Sequence, residues 1–132
     1  GIVMDNSGVE KEGPWHLSRS VSPMVGVDYL HDSADKTVVA VARYRIPLPQ
    51  GGRYEVRISY SAHPNRAANA LVTVNHVDGI KNILVNQRNA PPNKSAFLSL
   101  GEFNFAEDAL IVISNKNADG HVIADAVQLL QK

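Results

Sequence analysis

Between residues 53 and 60 the chain alternates strictly: Tyr54, Val56, Ile58 and Tyr60 share one face, and Arg53, Glu55, Arg57 and Ser59 share the other. A period of two places side chains on opposite faces of an extended chain, so this segment predicts a half-buried strand. Pro47-Leu48-Pro49-Gln50-Gly51-Gly52 just before it is a turn, and the β-branched run from Thr37 to Ile46 predicts a strand leading into that turn. Leu71–Val77 and Ile80–Gln87 alternate around Asp78-Gly79, which is a hairpin signal. Ala96–Phe105 (with an expected break at Gly101), Ala109–Ser114 and His121–Leu130 are three further strands, and Ile2–Met4 and Trp15–Arg19 are shorter candidates. Glycine, proline and asparagine interrupt every apolar window before a capped amphipathic helix can form. Roughly seven to nine short strands with regular turns predict an all-β fold, a two-sheet antiparallel β-sandwich or jelly roll. Residues 1–132 have no internal repeat or low-complexity linker and are expected to form a single domain.

Charge narrows the partners. Thirteen basic and thirteen acidic residues cancel, and the basic ones are scattered singly. Nucleic acid and anionic membranes therefore meet no attracting patch. No apolar stretch approaches the ~20 residues a membrane-spanning helix needs. With no cysteine, disulfides, thiolate metal sites and cysteine nucleophiles are all excluded. A glycine followed at once by strand-like sequence is read as the edge of a module cut from a larger protein. Its expected location is extracellular or periplasmic, with any export signal upstream.

Three polar clusters fall near strand ends: Gly26–Asp32, His63–Asn69 and Val85–Asn89. Their Asn, Gln, His, Arg and Asp side chains suit hydroxyl-rich ligands, because they donate, accept or grip in bidentate fashion. The competing reading is that they satisfy turn backbones. No Gly-x-Ser-x-Gly elbow supports a hydrolase, and no glycine-rich loop opening a helix supports a nucleotide. Zinc held by His31, Asp32, His63 and His76 lacks any local ligand spacing. Structural calcium on Asp28, Asp32 and Asp35 fits better, although the spacing is not that of an EF-hand, and no cofactor is expected. Trp15 is read as core rather than as a sugar platform. Asp125 alternates with Ile123, Val127 and Leu129, so its carboxylate is expected to be buried. A buried charge needs a partner, and Arg66, flanked by small alanines, is the expected one.

Asp28-Tyr29-Leu30-His31-Asp32, Ala62-His63-Pro64-Asn65-Arg66-Ala67-Ala68-Asn69, Val85-Asn86-Gln87 and Asp119–Val127 together resemble the golvesin C-terminal-like domain, also described as the xanthan-lyase carbohydrate-binding-like domain. The four segments occur in the expected order, and the resemblance runs from about Val3 to Leu129. It implies a galactose-binding-like jelly roll, appended to exported bacterial enzymes such as lyases, hydrolases or FAD-dependent oxidoreductases. It carries over His31, Asp32, His63, Asn65, Arg66, Asn69, Asn86, Gln87 and Asp125 as motif positions. The chain departs from the family at His121, where a tyrosine is more usual, and at Pro64, where a small polar residue is. The expectation is a non-catalytic accessory module that binds a polysaccharide or glycan through loops at one end. The alternatives are a structural domain that orients a neighbouring catalytic domain of the same chain, and an enzyme.

Overall fold

A computed structural model describes residues 1–34 and 38–132. The alternating face of Tyr54, Val56, Ile58 and Tyr60 is buried, each residue at most 3 % exposed. It runs along strand β6 (Gly52–Ser59) and one residue past it. The other strands are β1 (Ile2–Met4), β2 (Glu10–Glu12), β3 (His16–Ser18), β4 (Tyr29–His31), β5 (Val41–Pro47), β7 (Ala70–His76), β8 (Gly79–Val85), β9 (Phe97–Phe105), β10 (Asp108–Ser114), β11 (Ile123–Ala124) and β12 (Val127–Gln131). Helix among the described residues is limited to single 3-10 turns at Asn6–Gly8 and Pro92–Lys94.

Two antiparallel sheets form the sandwich, ordered β1-β12-β6-β9 and β2-β5-β10-β7-β8. Ala42, Tyr44 and Ile46 of β5, Ile111 and Ile113 of β10, and Val72 and Val74 of β7 meet Val56, Ile58, Val127 and Leu129 in one core. Each large apolar side chain removed from water here contributes roughly 1.5–3 kcal/mol. The all-β sandwich read from alternation is therefore present. A third sheet, β11-β4-β3, is added to the two expected.

Several elements differ from the sequence reading. The strand expected from Thr37 starts at Val41, and Thr37 lies outside the described residues. β9 is continuous where a break was expected. Gly101 (φ +111°) hosts a bulge, with Val56 paired to Gly101 and Arg57 to Ser99. The single strand expected over His121–Leu130 divides at Asp125-Ala126, because β11 pairs with β4 while β12 pairs with β6.

Register fixes the ends of the sandwich. β10 meets β5 from Asp108↔Pro47 to Ser114↔Val41, β8 ends at Val85↔Ala70, and β12 begins at Val127↔Ile58. The segments 60–69, 86–96 and 115–122 therefore emerge together at one end. The turns 48–51, 77–78 and 106–107 occupy the other. Ile2 pairs with Leu129 there, so the two termini lie side by side at the turn end.

Candidate functional site

At the loop end, backbone strands give way to side chains that tie loop to loop. Just past β6, Arg66 folds inward beside Ala67 and is 4 % exposed. Its Nε donates to Ser61 O (2.9 Å), Nη1 to Asn65 Oδ1 (2.8 Å), and Nη2 to Ser61 Oγ (2.9 Å) and Tyr29 Oη (3.3 Å). The guanidinium carbon stands 5.6 Å from the Tyr29 ring centre. His121 N donates to Asn65 O at 3.0 Å, and Ala67 N donates to His121 O at 2.7 Å, so segments 60–69 and 115–122 run as a short ladder. Gly120 permits that approach, since a Cβ there would lie 2.6 Å from Arg66 O.

The other motif residues extend this belt. Gln87 is fully buried; its Nε2 donates to Ile123 O (2.9 Å) and its Oε1 accepts from Ile123 N (2.8 Å). Asn69 Nδ2 donates to Asn117 O, and Asn69 Oδ1 accepts from Asp119 N. Asp32 Oδ1, also buried, accepts from Val122 N (2.9 Å) and Ala34 N (3.0 Å). Arg88 Nε donates to Arg66 O, and its Nη2 lies 3.4 Å from Asp119 Oδ1.

The candidate residues thus converge, but in two layers. Asp32, Arg66, Asn69 and Gln87 hold the loops. His63, Asn65 and Asn86 are exposed, and His31 is half-buried. His63 Nδ1 accepts from Asn65 N, and Asn86 Oδ1 accepts from Arg88 N, which fixes the rim from beneath. Sequence reasoning missed the third strand's contribution. His16 lies opposite His31 in register, with ring centres 5.5 Å apart, and His121 stands 5.9 Å from His31 on its other side. Burial first, then the neighbouring His121 and His16, hold the His31 imidazole below its usual pKa, against the opposing pull of Asp32. Burial pushes the Tyr29 phenol up, but hydrogen bonds from Ser18 and Arg66 outweigh it and hold it below its usual value.

The Asp125–Arg66 pair is not formed. Asp125 is fully buried, as expected, but Oδ2 accepts from Val25 N (2.7 Å) and Oδ1 has no partner among the described residues. Tyr44 Oη donates to its backbone carbonyl at 2.8 Å. Alternation gave Asp125 a face but not its neighbours; the break between β11 and β12 aims it at segment 20–28, away from Arg66. Burial, reinforced by Asp5 and Asp28 and opposed by the Val25 bond, pushes its pKa up to about 7.

Two of the three expected calcium ligands make hydrogen bonds within the protein. Asp28 Oδ1 accepts from Asn6 Nδ2 (2.7 Å), Asp32 holds backbone, and Asp35 lies outside the described residues. Among the described residues no three of His, Cys, Asp and Glu are placed to hold a metal ion. Trp15 packs partly buried against the core, donating from Nε1 to Val41 O at 3.0 Å.

The two-sheet sandwich is a fold shared with carbohydrate-binding modules. A family 35 carbohydrate-binding module from Clostridium thermocellum superposes with a TM-score of 0.58 at 14 % identity, over 99 % of this chain and 98 % of that one; this likeness carries the fold. The chain belongs to the golvesin C-terminal domain family, whose profile matches residues 2–131. It is 32 % identical to a xanthan lyase of Bacillus sp. (strain GL1), across 98 % of this chain and 14 % of that enzyme. The structure of a Paenibacillus xanthan lyase matches with a TM-score of 0.87 and 31 % identity, over 98 % of this chain and 13 % of that one. The chain thus spans about a seventh of the curated relative's length.

Proposed function

We propose that this domain is a non-catalytic accessory module, which holds a polysaccharide or glycan for an enzyme in the same polypeptide, outside the cytoplasm. The observation that carries this reading is the kinship, along almost the whole domain, with a small part of a polysaccharide lyase. The loop end supplies the means: His63, Asn65 and Asn86 are exposed, and with their Nδ1 and Oδ1 atoms engaged within the loops they present N–H donors to a ligand. Hydroxyl-rich ligands suit such fixed polar groups, and no cofactor is needed.

Affinity electrophoresis through a panel of polysaccharides tests the reading. Retardation by at least one is expected, insensitive to chelation, and lost in His63→Ala/Asn65→Ala/Asn86→Ala with the fold retained. No retardation by any glycan overturns it. A second reading, a structural module packed on a catalytic neighbour, draws on β8: Ile80 and Leu84 are 66 % and 67 % exposed on one face of this edge strand. Retardation unchanged by the loop variants but lost on Leu84→Lys would favour that surface.

A further inference from the structure

Arg66 is a buried cation whose partners are all neutral: a carbonyl, two side-chain oxygens and a phenol. The Arg88–Asp119 ion pair, whose Arg88 Nε donates to Arg66 O, leaves the Arg66 guanidinium out. A charge taken from water without a counter-ion is costly, and its field reaches the surface above it. Three imidazoles occupy that surface. Tyr29, under the guanidinium, and His31 share one face of β4 by alternation, and His16 is the register partner of His31. His121 adjoins Arg66 through the loop ladder. Among the described residues, the groups facing His31 are therefore His16 from β3, His121 from segment 115–122 and Arg66 from segment 60–69, against the carboxylate of Asp32. That carboxylate is already bonded to Val122 N and Ala34 N. Among the described residues, this end of a chain with zero net charge thus gathers Arg66 and three imidazoles, while Asp32 is engaged by backbone N–H groups and Asp119 is paired with Arg88.

We infer that the loop end recognises an anionic glycan, with the carboxylate of an acidic sugar seated on the His16–His31–His121 row above the Arg66 guanidinium. This rests on the glycan reading and names its ligand class. Burial and like-charge crowding disfavour the protonated form of His31 in the empty site, whereas a bound carboxylate favours it. Affinity therefore rises as pH falls through the histidine pKa of the complex, and levels off below that of the free domain. One pKa unit between the two states is about tenfold in affinity.

The test titrates the intact domain with polygalacturonate, alginate, hyaluronan and xanthan, each beside its carboxyl-reduced neutral counterpart, at pH 5.5 and pH 8. At least one acidic polymer should bind roughly tenfold tighter at pH 5.5, and its reduced form should lose that gain. His31→Gln/His121→Gln should flatten the pH dependence. Should that variant fail to fold, imidazole NMR titration of the wild-type domain decides, with the His31 pKa expected to rise on saturation with galacturonate. Equal binding of acidic and reduced polymers, or an unmoved His31 pKa, overturns the anionic-ligand inference and leaves glycan binding standing. Failure to bind any glycan, acidic or neutral, overturns both.

Discussion

Gln87 and Asp125 show how unequally two buried polar residues can be served. Gln87 meets both the N–H and the C=O of Ile123 at the start of β11. Gln87→Ala should cost about 2–4 kcal/mol, since it leaves a buried donor and acceptor unmet. Urea unfolding measures this, and a loss below ~1 kcal/mol would mean that water replaces the amide. Asp125 is the opposite case, a carboxylate with one bonded oxygen and no countercharge. Its folded pKa of about 7 lies above the ordinary carboxylate value. The folded state therefore holds the proton more tightly, and stability present at low pH falls as pH rises from about 4 through about 7. Asp125→Asn should abolish that slope and be neutral or stabilising at pH 8, because an amide can keep the Val25 bond without charge. Stability profiles of both proteins across pH 4–8 check this, and a clear loss at pH 8 would mean that a hidden cation serves the carboxylate.

At the scale of elements, legibility followed local rules. The β7–β8 hairpin was readable because Asp78-Gly79 is a local device, and Gly79 takes φ +118°. β4 was not readable as a strand, because Tyr29-Leu30-His31 is too short to show a period and its partners His16 and Ile123 lie far off in sequence. The join between loops depends on one glycine in the same non-local way. A Cβ on Gly120 would lie 2.6 Å from Arg66 O and 2.7 Å from Arg66 C, and both obstacles are backbone. Gly120→Ala should force segments 60–69 and 115–122 apart at about 1–3 kcal/mol. The resonances of His121 and Ala67 should shift, since their bonds form that ladder. A variant with wild-type stability and spectrum would show that the loops yield freely.

For the whole molecule, alternation sufficed to name the sandwich, because a period of two is the signature of a half-buried strand. It did not sort the candidate site. Asp32, Arg66, Asn69 and Gln87 turn to neighbouring loops, while His63, Asn65 and Asn86 stay outside, and loop residues have no periodicity that separates the two groups. His16 escaped notice because its place beside His31 and His121 exists only once β3, β4 and segment 115–122 have assembled.

The termini lie side by side, with β1 bound to the sheet only through β12. A pull applied through Ile2 and Gln131 meets the Ile2↔Leu129 pair first and Met4↔Val127 last. The three rungs are loaded one after another rather than together, so the sheet peels open instead of resisting in shear. Force delivered through the two ends therefore parts β1 from β12 well before the core shared by β5, β6 and β10 feels the strain.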